Sequence, residues 1–519
     1  MTSAAPDDDV AQLLAALPGR ISDVVTRNAA RIPDAEALRE DGQKWTYAEL
    51  DAASARTARA LREAGVRGGD RVLLVAENCA ALVAVLLALA RLDAWAVLVN
   101  ARLSAREVDA IRDHCAPRRT VYFSHVSPDA AAHALRHGYT LPWPLGTLGE
   151  ATLGAANDSV KPEPVHDDPA RQVAALLYTT GTTGEPKGVM LSHRNLLFIA
   201  RVSSMLRRLA WGDRVYGVLP ITHVYGLASV CLGTLFSGAC LRLAARFSPE
   251  AMLRSLAKDG ITVAQGVPAM YARLLDVLPA GAAPAAPRLR FLYAGGSPLD
   301  PTLKSATEAA FGLTLHNGYG LTESSPTVTQ TRIDAPRSDC SVGTAIPGVD
   351  MRIVDDNGRA LPDGETGVLH VRGPNVMLGY YRNPTLTAAA ITADGWLDTG
   401  DLARRDADGA LFIVGRVKEL IIRSGFNVHP AEVEAVLNSH PAVLQSAVVG
   451  RPVMGNEEVV AFVELTPGLA ATTADLARHA SAHLAPYKRP AKIVIMPALP
   501  ASATGKILKH RLRIDSDAG

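Results

Sequence analysis

The sequence predicts an α/β fold: a large N-terminal α/β domain of several subdomains, a small β subdomain at its end, and a small C-terminal α+β domain. Three observations predict it. Over about the first 400 residues short apolar runs alternate with helical patterns, the rhythm of α/β units. From Gly348 the texture changes to Val-Asp-Met-Arg-Ile-Val-Asp-Asp-Asn-Gly and Gly-Val-Leu-His-Val-Arg-Gly, alternating strands with Asp-Gly and Asn-Gly turns of antiparallel β structure. After Gly415 a shorter α+β pattern follows. At 519 residues the chain exceeds what one compact core can bury.

Taken in order, Arg71 to Val75 reads as a strand, Ala80 to Leu92 as a helix, Ala94 to Val99 as a strand and Ser104 to Arg112 as a helix. The apolar run Ala80 to Ala90 falls short of the ~20 residues a membrane span requires, so it is expected to be a buried helix. Further strands are predicted at Val173 to Tyr178, Arg214 to Leu219, Ile261 to Gln265, Leu289 to Tyr293 and Thr314 to His316, several leading into glycine-rich or polar loops. Ligand loops at strand ends are what open α/β sheets provide. In the last hundred residues Glu432 to Ser439 and Thr473 to Leu484 read as helices, and Val443 to Val449 and Val459 to Leu465 as strands. A domain boundary is expected at Val414 to Lys418, giving domains 1–415 and 416–519.

Lysine and arginine total 53 against 52 acidic residues, a net charge of +1. That balance is neither a nucleic-acid footprint nor an acidic tail, so charged ligands must be met by local sites. The five cysteines lack any Cys-x-x-Cys pair, which argues against zinc and disulfide frameworks and fits a reducing cytoplasm. The N-terminus has neither the basic start nor the apolar core of a secretory signal. No membrane span is expected.

The most informative segment is Leu177 to Val189, Leu-Tyr-Thr-Thr-Gly-Thr-Thr-Gly-Glu-Pro-Lys-Gly-Val. Gly181, Gly184 and Gly188 allow backbone N–H groups to turn toward an anion; Thr179, Thr180, Thr182 and Thr183 add hydroxyls, and Lys187 a full charge. It is not a Walker loop, because Lys187 precedes its glycine. An ordinary polar hairpin would look similar in isolation. A second run, Asn317-Gly318-Tyr319-Gly320-Leu321-Thr322-Glu323, offers Thr322 to a phosphate oxygen, Glu323 to Mg²⁺ and Tyr319 as a flat face for adenine. Between them Tyr293-Ala294-Gly295-Gly296-Ser297-Pro298-Leu299 permits close approach of a planar group, and also reads as a strand-to-helix turn with Ser297 as cap and Pro298 at the first helical position.

As a set these runs resemble the signatures of the adenylate-forming superfamily: acyl- and aryl-CoA synthetases, peptide-synthetase adenylation domains and firefly-type luciferases. Leu397-Asp398-Thr399-Gly400-Asp401, Ile413-Val414-Gly415-Arg416-Val417-Lys418-Glu419 and Leu499 to Leu508 match further motifs in the family's order. So do Leu98-Val-Asn-Ala-Arg102, Ser341 to Gly348, Gly364 to Gly367, Gly379-Tyr-Tyr-Arg-Asn-Pro384 and Pro486 to Pro490.

The resemblance implies a mobile C-terminal domain and an acid–CoA ligase that uses ATP, Mg²⁺ and coenzyme A and proceeds through an acyl-adenylate. It implies that Asp401 takes both ribose hydroxyls, that Arg416 reaches ribose or phosphate beside Ile413, and that Lys418 is the hinge. Lys506 becomes the catalytic lysine, a mobile ammonium that bridges carboxylate and α-phosphate as charge builds on the phosphoryl oxygens. Gly296, Ser297, Pro298, Asn317, Gly318, Tyr319 and Gly320 line the adenine side.

The acid is assigned to a pocket formed by His223, Tyr225, Gly226, Ala294, Gly295, Gly320 and Leu321, with His223 gating the carboxylate. Amino-acid-activating relatives carry an aspartate where Thr222 and His223 stand; without it a buried ammonium would lack a partner, so a free amino acid is not expected. The glycines there suggest room, and Tyr225 with Leu321 suggests apolar walls, for an aryl or medium-chain aliphatic acid. Coumarate ligases of plants have lysines at the positions of Ile422 and Ser424, which leaves CoA contacts to Ser424, Gly425 and other groups such as Arg423. A carrier-protein thiol is the alternative acceptor. Homodimerisation, and acetylation of Lys506 by an acetyltransferase, complete the expected partnerships.

Overall fold

The computed structural model describes residues 7–180, 186–279, 281–424, 426–453, 456–502 and 507–512. Two large sheets carry the N-terminal domain. In the first, the parallel strands Arg119–Tyr122, Arg71–Ala76, Trp95–Asn100 and Val173–Thr180 lie side by side, and Pro186–Ser192 returns antiparallel to the last. The second sheet runs Cys240–Leu243, Arg214–Gly217, Val263–Gly266, Phe291–Ala294 and Leu315–Gly320 in parallel, with Thr327–Gln330 antiparallel at the end.

The helix Ala80–Arg91 explains how the sheets are joined. Its first eleven residues are all buried, and it packs against strands of both sheets, so no face needs polar residues. No helix among the described residues is long and apolar enough to cross a membrane.

Ser104, read as the start of a helix, is the N-cap of Ala105–Cys115 in a capping box with Glu107. Two expectations shift. Thr314 to His316 was read as a strand ending before a loop, yet the strand Leu315–Gly320 runs through Asn317, Gly318 and Tyr319, held by Thr327–Gln330. The helix expected to begin at Ser297 and Pro298 instead spans Pro301–Phe311, with Asp300 accepting from the Thr302 and Leu303 amides and Pro301 at the first position. The same cap chemistry recurs three residues later, leaving Ser297 and Pro298 in an open loop.

The third sheet is antiparallel: Asp350–Val354, Thr366–Arg372, Leu397–Arg405 and Leu411–Arg416. Beyond it lies the smaller α+β domain. A hairpin, Ile421–Arg423 and Phe426–Val428, precedes Val443–Val453, Asn456–Leu465 and Lys492–Met496, covered by the helices Pro430–Asn438 and Thr473–His483. Its apolar residues, from Ile421 through Leu484, form clusters separate from the core that ends near Leu411.

Candidate active site

Thr179 and Lys187 face each other across the two strands that bracket the phosphate-binding motif, and Tyr178 faces Gly188. Gly181, Thr182, Thr183 and Gly184 lie outside the described residues, and for Thr180 only the backbone is described. A Cβ on Gly188 would stand 3.1 Å from Leu176 and 3.2 Å from the Tyr178 ring, so this glycine serves the hairpin's packing. A short strand, Gly379–Tyr380, adds to the returning arm opposite Met190 and Val189. It brings in a residue to which the sequence reading gave no role. The Tyr380 hydroxyl donates to Glu323 Oε1 at 2.8 Å, and the Lys187 ammonium lies 6.0 Å from the Tyr380 ring centroid. Burial, reinforced by Glu323, holds the Tyr380 phenol far above its ordinary value, so it remains a donor. Tyr380 thus links the lysine of the first motif to the acid of the second. A cavity of about 530 Å³ opens beside Lys187, Gly188, His114, Tyr380 and Tyr381.

Thr322, Glu323 and Ser324 make a single helical turn, tied by the Ser324 hydroxyl to the Leu321 and Pro326 carbonyls. Glu323 Oε2 accepts no hydrogen bond from a described residue, and no cluster of three metal-ligating side chains occurs among those residues. This donor set fits Mg²⁺, which keeps most of its waters and takes one or two carboxylates plus substrate phosphates.

Asp401 is buried at 3 % exposure and collects two of the expected groups. Tyr319 donates its hydroxyl at 2.5 Å to Oδ2, and Arg416 reaches Oδ1 at 3.0 Å. Arg416 is the strand partner of Asp401, which fixes the pair in register. Ile413, two pairs along, packs into the core. Burial and the neighbouring Asp401 raise the Tyr319 phenol well above its usual value, so the tyrosine stays protonated and locks the carboxylate in place. Asn317 is buried and engaged elsewhere: its amide donates to the Cys340 and Ser341 carbonyls, positioning the strand from below rather than facing a base.

The pocket side rests on Asn78, unnoticed in the sequence. Its side chain donates to the Gly217 and Leu219 carbonyls and accepts from the Ile221 amide, anchoring the loop that carries His223. Thr222 is held by Asn100 at 3.3 Å. His223 Nδ1 accepts from the Tyr225 amide at 3.3 Å, which places the proton of a neutral ring on Nε2.

Two readings of the pocket need correction. A Cβ on Gly226 would stand 2.1 Å from the Pro220 carbonyl, and one on Gly320 would stand 1.8 Å from the Pro326 carbonyl. Backbone crossing, not ligand room, demands these glycines. Gly295 does face the pocket wall, its Cβ position 3.5 Å from the Tyr225 ring beside Ala294. Gly296 has φ +86°, a conformation that favours glycine. The Tyr225 hydroxyl is buried with no hydrogen-bond partner among the described residues.

In the C-terminal domain Lys418 is exposed on the turn Val417–Glu419. Ser424 takes φ 53° and is bonded through its amide to Asn456. Arg423, offered as a CoA contact, instead donates to the Tyr487 and Arg489 carbonyls. Gly425 and Lys506 lie outside the described residues. Beyond Lys506, Lys509 pairs with both Glu419 and Glu434 at 2.9 Å.

Residues 25–381 match the model of the AMP-binding enzyme family, and residues 432–506 that of the AMP-binding enzyme C-terminal domain. A feruloyl-CoA synthase from Amycolatopsis is 36 % identical over 492 residues, covering 94 % of this chain and 97 % of its own. The ATP-bound MatB of Rhodopseudomonas palustris superposes with a TM-score of 0.83 at 32 % identity, over 94 % of this chain and 97 % of that one. An O-succinylbenzoate-CoA synthetase of Bacillus subtilis, in complex with ATP and magnesium, gives a TM-score of 0.80 at 30 % identity, over 94 % and 98 %.

Proposed function

Because this chain belongs to the AMP-binding enzyme family, in which its curated relatives are acid–CoA ligases, we propose that it activates an aryl or medium-chain aliphatic carboxylic acid in two half-reactions. ATP, Mg²⁺ and CoA are the cosubstrates. In the first, a carboxylate oxygen attacks the α-phosphorus, an O–P bond forms, and pyrophosphate leaves. In the second, the CoA sulfur bonds to the acyl carbon, the mixed anhydride breaks, AMP leaves, and the thiol proton passes to solvent. Carboxylate and phosphate repel each other, so the chain's own work is electrostatic: the threonine-glycine hairpin with Lys187, together with Thr322, on phosphate, and Lys506 between the two anions. Magnesium, held by Glu323 and the phosphates, supplies further charge neutralisation. Asp401, Tyr319 and Arg416 form one ribose anchor, and His223 gates the carboxylate.

The observation that carries this reading is the coupling of separate motifs through side chains: Lys187 to Glu323 through Tyr380, and Tyr319 to Arg416 through Asp401. An aryl acid is favoured by the identity to a feruloyl-CoA synthase. The division into domains 1–415 and 416–519, with Lys418 as hinge, and a cytoplasmic setting belong to the same proposal. The test is pyrophosphate release with MgATP across aryl and straight-chain acids, each with and without CoA. Release that requires CoA and peaks at one acid is expected. Release indifferent to CoA would replace CoA by a carrier-protein thiol or leave the adenylate as product.

A further inference from the structure

The interior beside Tyr225 holds a set of polar groups that the described residues satisfy only in part. Arg207, at the end of the helix His193–Leu206, is fully buried. Its Nη1 donates to the Ser229 carbonyl at 3.2 Å, while Nε and Nη2 have no acceptor, and among the described residues it makes no ion pair. Its guanidinium lies 4.6 Å from the centroid of Tyr293, whose ring meets Tyr225 edge-on at 6.1 Å. Gln265 is the strand partner of Tyr293, fully buried, with both amide atoms unpartnered. Gln330 is the partner of Gly318, 1 % exposed and likewise unpartnered at both atoms. The Tyr293 hydroxyl occupies the space a side chain on Gly318 would fill. Arg207, Tyr293 and Tyr225 therefore adjoin one another, with Gln265 and Gln330 at the strand positions paired with Tyr293 and Gly318.

A buried guanidinium without a carboxylate is costly, and each unpaired amide adds to that cost. Such a group persists when a ligand completes it. Charge, planarity and two adjacent N–H directions on Arg207 match a carboxylate. Resting on the ligase reading of the neighbouring pocket, we infer that the Arg207 cluster receives a second anionic group, a carboxylate at the far end of the acid, so that the substrate is a dicarboxylate with one end adenylated and the other held at Arg207. The distal carboxylate takes the Arg207 N–H groups and the Tyr225 and Gln265 donors, and remains chemically unchanged through both half-reactions.

Matched acids test this. α,ω-Dicarboxylates of three to eight carbons, and terephthalate, are each paired with the monocarboxylate of the same length, or with 4-methylbenzoate. CoA-dependent AMP formation and the rise in unfolding temperature are read for each member. A dicarboxylate is expected to exceed its neutral-ended partner in kcat/KM by at least about tenfold, the discrimination a site of buried polar groups exerts against a ligand that leaves them unpaired. Arg207→Met should invert that preference through KM for the acid, with KM for ATP unmoved, and Arg207→Lys should restore part of it. If Arg207→Met does not fold, the stabilisation of the native enzyme by the paired acids decides alone. CoA-dependent turnover confined to neutral-ended acids overturns the anion receptor and leaves the ligase reading standing. A panel in which no acid is turned over or stabilises the protein overturns both.

Discussion

In the proposed reaction two anions must meet before the first bond forms, so their repulsion has to be offset. Lys506 is the residue to which the sequence reading gives that task, and the chain on both sides of it is anchored: Ala501 bridges Ile507, and Lys509 sits between Glu419 and Glu434. Lys506→Ala should therefore abolish acyl-adenylate formation, by about a hundredfold or more on the scale of lost electrostatic catalysis, yet spare thioester formation from supplied acyl-AMP. Acetylation of Lys506 removes the same charge and should have the same effect. Measuring the two half-reactions separately checks this, and an equal loss of both contradicts the role. Residue identity carried such assignments because charge and hydroxyl chemistry are written in the sequence. What the sequence could not carry is direction: Arg423 was a plausible CoA contact until its guanidinium was found bonded to Tyr487 and Arg489 carbonyls. Tyr380 was quoted only as part of a matching stretch, because nothing local announces that its hydroxyl ends on Glu323, 57 residues away.

Glycines show the difference between residue and element most clearly. The strand Leu315–Gly320 must pass within contact of the Pro326 and Thr327 backbone and of the Tyr293 hydroxyl, and it does so only because Gly318 and Gly320 lack side chains. Read as sequence, these glycines suggested a loop with ligand space; as structure they are the price of a tightly crossed strand pair. Gly320→Ala places a Cβ 1.8 Å from a carbonyl oxygen that cannot swing away. The expected cost is about 1–3 kcal/mol of stability, with displacement of the adjoining Thr322 and Glu323 turn. Calorimetry should show a lower unfolding temperature, and adenylation should fall more than thioester formation; an unchanged enzyme would mean that the strand pair can separate freely. Parallel strands such as Arg71–Ala76 were legible from continuous apolar runs, since burial on both faces leaves no alternation to misread. Lys492–Met496 was missed because Lys-Ile-Val-Ile-Met is half exposed at a sheet edge, where pairing with Val460 to Glu464 rather than burial makes it a strand.

At the scale of the whole molecule, the two large sheets each bury a neutral histidine. His193 begins the helix that follows the Lys187 strand; it is fully buried, its Nδ1 accepts from the Ile21 amide, and its Nε2 has no acceptor. Burial, with Arg20 nearby, holds it down at about 3. His316 lies on the strand leading to Tyr319, stacked on Phe291 at 4.9 Å, and burial with Lys304 holds it at about 4. Both folded values stand below the unfolded value near 6.5, so between these limits the unfolded chain binds more protons than the folded one. Their contribution is fully present above pH 6.5 and is lost as pH falls toward 4 for His316 and 3 for His193. At pH 5 the loss is about 2 kcal/mol for each, a large share of the stability of a typical domain. The unfolding temperature should accordingly drop between pH 7 and pH 5, and the slope should be smaller in His193→Gln, which keeps an acceptor for Ile21 and cannot be protonated. Because the two histidines underlie different sheets, the loss on acidification should be structural, and both half-reactions should fail together. An unfolding temperature that stays level from pH 7 to pH 5, or a His193→Gln enzyme with the full slope, would show that these rings are protonated in the folded state or reached by water.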